Sequence, residues 1–235
     1  MIHTATHTDI GKRSGNEDAL FSLPLPDGSL LLAVADGMGG HNAGEVASRL
    51  ALETLQEYAD APFDEAFEAC NLRVYAQSLC DRQCFGMGTT LVAARADARN
   101  VAIAYVGDSR IYHWDGITLR QRSADHSYVA ELVRRRLLTP EEARHHPHRN
   151  RITRAIGGEP TVDTDYRQFA WAPGDMLLLC SDGLHDVLTD AEIAAILSED
   201  TDLDTIAETL IREALQADAS DNISVVLARN GGDGE

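Results

Sequence analysis

The chain has 235 residues, 44% of them hydrophobic and 25% charged, with a formal net charge of −18. That is enough apolar material for a sizeable single core and too much for an extensively disordered chain. The negative field disfavours general nucleic-acid and anionic-membrane binding, and no apolar run is long enough to span a bilayer.

The first residues, Met1-Ile2-His3-Thr4-Ala5-Thr6-His7, lack the basic, apolar and small-residue succession of a secretion signal. A weak alternation over 2–8 predicts an edge strand. A polar loop over 9–18 follows, concentrating Arg13, Glu17 and Asp18. Strands over 20–23 and 29–35, joined by the turn Pro26-Asp27-Gly28, make a hairpin. Its second strand runs Leu31-Leu32-Ala33-Val34-Ala35 and stops at Asp36, before Gly37-Met38-Gly39-Gly40-His41.

Val46, Ala47, Leu50, Ala51 and Leu55 recur at helical spacing over 43–58, and Pro62 ends that segment. A second helix is expected over 63–80. Strands over 89–94, 101–106, 110–114 and 117–120 read as one antiparallel meander, with Asn100, Gly107-Asp108 and Asp115-Gly116 supplying the turns.

Between 127 and 156 the pattern turns helical and basic, with one helix over 129–138 and another capped by Thr139 with Pro140 at its first position. Arginines 134, 135, 136, 144, 149, 151 and 154 lie here beside His145, His146 and His148. On so acidic a protein this cluster reads as a surface for acidic or phosphorylated partners. The histidines make a poor zinc site, because no cysteine is near. Strands over 162–171 and 175–180, helices over 190–198 and 203–217, a strand over 223–228 and a frayed tail over 231–235 complete the chain.

Lys12 is the only lysine and lacks the spacing of a phosphate loop. Cys70, Cys80, Cys84 and Cys180 form no C-x-x-C pair, and reduced, mostly buried thiols are expected. None has an arginine six positions later, so a cysteine-dependent phosphate-loop mechanism is excluded.

What remains is a set of carboxylates at strand ends or in glycine turns: Glu17, Asp18, Asp36, Asp108, Asp182, Asp186 and Asp221. If the strands form central sheets, several converge at one edge, where they repel and raise one another's pKa. Cations relieve that repulsion, and hard oxygen donors without a required Cys or His select Mg²⁺ or Mn²⁺. Two such ions roughly 3.5–4 Å apart could ionise a bridging water for in-line displacement at phosphorus.

The motifs Arg13-Ser14-Gly15-Asn16-Glu17-Asp18, Asp36-Gly37-Met38-Gly39-Gly40-His41, Gly86-Met87-Gly88-Thr89-Thr90, Gly107-Asp108-Ser109-Arg110, Ser181-Asp182-Gly183 and Asp221-Asn222 span nearly the whole chain. In this order and spacing they resemble the metal-dependent protein serine/threonine phosphatases, the PPM or type 2C family, in its compact bacterial form. The resemblance implies an α+β fold, a four-layer α-β-β-α sandwich with two central antiparallel sheets, as one domain over 1–230 with a basic flap over 127–156. It implies hydrolysis of phosphoserine or phosphothreonine in proteins by a hydroxide bridging two Mn²⁺ or Mg²⁺ ions, in opposition to a bacterial serine/threonine kinase.

Residue by residue, the resemblance puts Asp36 between both ions, the Gly37 carbonyl on one, Glu17 on one directly or through water, and Asp182 and Asp221 on the other. Asp18 lies just behind these ligands. Asp108, Asp182 and Asp186 match a third, weaker site, and Arg13 matches the phosphate-binding guanidinium. Arg149 and Arg151 of the flap are the candidate contacts to the substrate protein. A cytoplasmic monomer is expected. Two departures stand out. Met38 occupies the place of the histidine proposed as proton donor in many eukaryotic relatives, with His41, His126 and metal-bound water as equal substitutes and no general acid assigned, and Arg134-Arg135-Arg136 replaces a glycine common at a helix end in the flap. A catalytically silent phosphoprotein binder is the competing reading, and it is disfavoured because Asp36, Asp182 and Asp221 are all present.

Overall fold

The computed structural model describes residues 1–39 and 43–232, so Gly40 and His41 of the second motif and residues 233–235 of the expected tail lie outside the described residues. Its strands are β1 (Ile2–Asp9), β2 (Asp18–Pro24), β3 (Leu30–Met38), β4 (Gly88–Thr89), β5 (Leu91–Ala96), β6 (Asn100–Val106), β7 (Arg110–Trp114), β8 (Leu119–Gln121), β9 (Asp165–Ala170), β10 (Met176–Cys180) and β11 (Ile223–Asn230). The helices are α1 (Ala43–Glu57), α2 (Phe63–Cys80), α3 (Tyr128–Arg134), α4 (Pro140–Arg144), α5 (Asp182–His185), α6 (Asp190–Leu197) and α7 (Leu203–Gln216).

One antiparallel sheet has the order β1-β11-β10-β7-β8 and the other β2-β3-β5-β6-β9, with β4 joined to the end of β3. Side-chain alternation assigns the layers. Leu30, Leu32 and Val34 of β3 meet Leu177 and Leu179 of β10 and Val226 and Ala228 of β11 between the sheets. Leu31, Ala33 and Ala35 face α1 and α2 on one outside, and Leu178, Val225 and Leu227 face α6 and α7 on the other. The result is the expected four-layer α-β-β-α sandwich.

Three expectations are corrected. The single meander is divided: β5 and β6 belong to one sheet and β7 and β8 to the other, so the chain changes sheets at Gly107-Asp108-Ser109. Gly107 takes φ +103°, and a Cβ there would lie 2.6 Å from Thr90 Cγ2, so this crossing requires glycine. The helix expected over 129–138 ends at Arg134 because Arg136 is left-handed (φ 60°). The Arg136 and Leu137 N–H groups then donate back to Val133 O and Leu132 O, a Schellman-type stop with arginine in the glycine position. The tail begins anchored, with Gly231 N donating to Met1 O at 2.9 Å and Gly232 N to Asn230 Oδ1 at 3.0 Å. All four cysteines are free, and only Cys80 is exposed.

Candidate active site

The apolar rows between the sheets end in polar residues at one edge of the sandwich. Continuing Leu30, Leu32, Val34 by two gives Asp36, and β2 pairs Asp18 directly opposite it. On β5 the row Ala96, Ala94, Val92 leads to Thr90, and on β10 and β11 the rows lead to Ser181 and Ser224. These hydroxyls close the end of the core: Thr90 Oγ1 and Ser109 Oγ are 2.7 Å apart, and Ser181 Oγ accepts from Ser224 N at 3.0 Å while donating to Asp18 Oδ2 at 2.8 Å.

Backbone hydrogen bonds hold Asp36 still. Its N–H donates to Thr90 Oγ1 at 2.9 Å, and its carbonyl accepts from Thr90 N at 2.8 Å and Thr89 Oγ1 at 2.9 Å. The next residue, Gly37, donates to Glu17 O at 3.1 Å and packs so tightly that a Cβ would lie 2.1 Å from Gly44 O. The Glu17 carboxylate rests over Gly44 at the start of α1, where a Cβ would meet Glu17 Oε2 at 2.6 Å. Glycines 37 and 44 therefore let β3, α1 and Glu17 close on one another.

Asn222, noted in the sequence only as part of a motif, ties the first loop to β11. It accepts from Glu17 N at 2.8 Å and donates to Ile10 O and Gly15 O at 2.9 and 3.0 Å. Asp221 beside it pairs with Arg13, whose Nη2 is 2.5 Å from Asp221 Oδ2. Asp182 opens the four-residue α5 immediately after β10 and Ser181. Asp108 stands in the crossing between sheets, and Asp186 follows α5 with Arg149 Nε 3.9 Å from its Oδ2.

The electrostatics are those of crowded like charges. Burial, followed by the charges of Asp182, Asp18, Asp108 and Asp221, pushes the Asp36 carboxyl well above the usual range. Burial and then Asp108, Asp186, Asp221 and Asp18 do the same to Asp182. Asp108 is pushed up to about 7 by burial, Asp125 and Asp186, and Asp18 to about 6 by burial against the opposing hydrogen bonds from serines. Burial also raises Glu17, and it raises Asp186 against the pull of Arg149.

Asp182 Oδ1 is buried and has no hydrogen-bond partner among the described residues. An orphaned carboxylate oxygen among raised carboxyls fits a hard divalent cation, whose charge would satisfy both. Among the described residues no three acidic, histidine or cysteine side chains are already drawn together at coordination spacing.

The flap arginines are largely engaged with the protein itself. Arg154 donates to Asp165 Oδ1 at 3.0 Å and Asp163 O at 3.3 Å, Arg144 to the His185 and Leu188 carbonyls at 3.3 Å, and Arg135 to Glu131. Arg151 lies 5.7 Å over the Tyr128 ring. His126 is buried, its Nδ1 accepting from Gly107 N at 3.1 Å, and burial followed by Arg154 lowers its pKa. Burial likewise holds His185, pushed down to about 3, neutral against the Asp108 carbonyl.

A two-sheet sandwich with clustered carboxylates at one edge and a guanidinium beside them defines a phosphoester hydrolase of the metal-dependent kind. The protein phosphatase 2C pattern matches residues 7–224, and the chain belongs to that family as a serine/threonine protein phosphatase. It is 36% identical over 239 residues to the serine/threonine phosphatase stp of Listeria monocytogenes, covering 96% of this chain and 95% of the relative. A bacterial serine phosphatase crystal structure superposes with TM-score 0.93 at 34% identity over 100% of both chains. The catalytic domain of the serine/threonine protein phosphatase PstP in complex with two manganese ions gives TM-score 0.87 at 35% identity, over 97% of each chain. Among the described residues no helix is long and apolar enough to cross a membrane.

Proposed function

We propose that the chain hydrolyses phosphoserine and phosphothreonine in proteins with two divalent ions, Mn²⁺ or Mg²⁺, and reverses the work of a serine/threonine kinase as a cytoplasmic monomer. The observation that carries this reading is the convergence of Asp36, Asp18, Asp182 and Asp221 on one edge, with Asp182 Oδ1 buried and unpartnered among the described residues. Asp36, the Gly37 carbonyl, Glu17, Asp182 and Asp221 would hold the ions. Asp18, already bonded to Ser181, would orient them from behind. When bound, the ions supply Lewis acidity that lowers the pKa of water and offsets charge on the phosphoryl oxygens.

The protein's own part is positioning. Thr89, Thr90 and Glu17 fix the backbone of Asp36 and Gly37, so these two donors cannot follow a displaced substrate. Among the described residues Arg13 commits one of its five guanidinium N–H groups, to Asp221, and the remaining fork can take two phosphate oxygens. Asp108, Asp182 and Asp186 would hold a third ion more weakly, because the Arg149 guanidinium already stands beside Asp186. Arg149 and Arg151 are the proposed contacts to the substrate protein. The Asp175–His113 and Arg110–Asp125 pairs lie within the fold and have no place in this scheme.

The test is turnover of a phosphothreonine peptide by purified protein with Mn²⁺, abolished by chelator. Absence of turnover in well-folded, metal-supplied protein would favour the silent phosphoprotein binder. Charge reversal at Arg149 and Arg151 should slow phosphoprotein turnover more than that of a small aryl phosphate. Equal effects on both would remove these two residues from recognition.

A further inference from the structure

The root of the flap grips the turn that carries Asp108. His126 N donates to Gly107 O at 2.9 Å and Gly107 N donates to His126 Nδ1 at 3.1 Å, closing a reciprocal pair. One residue earlier, Asp125 accepts from Arg110 Nε at 3.0 Å and from Nη2 at 2.7 Å, and Gln121 adds a third donor at 2.6 Å. Arg110 Nη1 reaches Tyr112 Oη at 2.9 Å, and the His126 ring stacks on Tyr105 at 5.5 Å between centroids. Asp108 is therefore held between two clamped neighbours, Gly107 and Arg110. Gly107 itself has no freedom to drift, with its left-handed φ and Thr90 packed against it.

Beyond this root the flap stands off the sandwich. A cavity of 470 Å³ separates Val129, Ala130 and Val133 of α3 from Asp108, Asp186 and Asp190 on the core. Ile156 seats the far end of the flap in the core and exchanges backbone hydrogen bonds with Thr89 at 3.0 and 2.8 Å, so across the cavity the angle of the flap is set by its two ends, and the bidentate pair fixes the near one. A buried ion pair is a weak source of stability and a strong source of fixed geometry.

We infer that Asp125 and His126 are positioning residues: through Arg110 and Gly107 they register the flap against Asp108 across the cavity between them, and turnover of protein substrates depends on that registration. The substrate half of this inference rests on the phosphatase reading, and the registration itself does not. Asp125→Asn alone would leave the Arg110 charge buried and unpaired and could unfold the chain, so the informative variant combines Asp125→Asn with Arg110→Met. His126→Phe, which keeps the stacking on Tyr105 and loses the acceptor for Gly107, probes the other clamp.

The flap offers trypsin Arg134, Arg135, Arg136, Arg149 and Arg151, so cleavage there reports its mobility without any catalysis. In the full-length double variant, flap cleavage is expected to accelerate about tenfold, as loss of a charge-assisted hydrogen bond predicts. The ratio of phosphoprotein to aryl-phosphate kcat/KM should fall by a similar factor while the thermal midpoint stays near wild type. His126→Phe should move both readouts in the same direction. A folded double variant with unchanged cleavage, or with both substrates slowed equally, overturns the inference. If wild type hydrolyses neither substrate, the phosphatase reading fails and the cleavage comparison still decides the registration.

Discussion

The acidic edge of the sandwich and the basic flap are both dense in charge, but they treat it differently. At the edge the charges of Asp36, Asp18, Asp182 and Asp108 act on one another, their carboxyls are raised, and one Asp182 oxygen is buried without a partner among the described residues. In the flap Arg135, Arg144 and Arg154 each find a carboxylate or carbonyl within the chain. Charge that the fold leaves uncompensated points to something the protein binds. Charge that the fold compensates is part of its own construction, however conspicuous it looks in the sequence.

The sharpest way to break this comparison is at Asp36. Asp36→Asn should lower kcat with Mn²⁺ by more than the ~10–100-fold expected from disturbing an outer partner of a metal ligand. Retention of full activity in a kinetic assay would place the ions elsewhere. The flap side predicts a contrast in stability. Arg154→Ala, which loses its bonds to Asp165 and Asp163, should cost about 1–2 kcal/mol in denaturant unfolding. Arg149→Ala should stay within about 0.5 kcal/mol, because its contact with Asp186 is long and exposed. Equal costs would erase the distinction between construction and recognition.

His126 gives a pH signature. Burial and then Arg154 lower its folded pKa, against the raising influence of Asp165, so the folded state resists a proton that the unfolded chain accepts. Its contribution is therefore fully present above the unfolded value, about 6.5, and is lost as pH falls below it. His126→Asn, which can still accept from Gly107 N, should flatten that part of the stability–pH profile. An identical profile would remove His126 as its source. The smallest effect is at Arg136: replacement by glycine relieves the left-handed backbone and should add about 1 kcal/mol of stability in the same unfolding assay.

Much of this was readable in the sequence because it is local. The strand-end carboxylates follow apolar runs, Asp36 among them after Leu31 to Ala35, and the capping box of Thr139 and Glu142 announces α4. What escaped is long-range. The alternation in β5 through β8 cannot show that the chain changes sheets at Gly107, since pairing partners are chosen by tertiary packing. Asn222 serves Glu17 from 205 residues away, and the arginines of the flap showed their charge without showing the carbonyls and carboxylates that absorb it. α3 continues a helical periodicity past Arg134, and only the left-handed Arg136 ends it.

The central claim is that the acidic edge is strained by its own charge and relieved by divalent cations. Its most direct test is the thermal midpoint of wild type and Asp36→Asn in chelator and in excess Mn²⁺. Wild type should gain several degrees with Mn²⁺, as binding to the folded state requires, while Asp36→Asn should begin higher in chelator and gain little. A wild-type midpoint indifferent to Mn²⁺, or an Asp36→Asn variant less stable than wild type in chelator, would contradict the account.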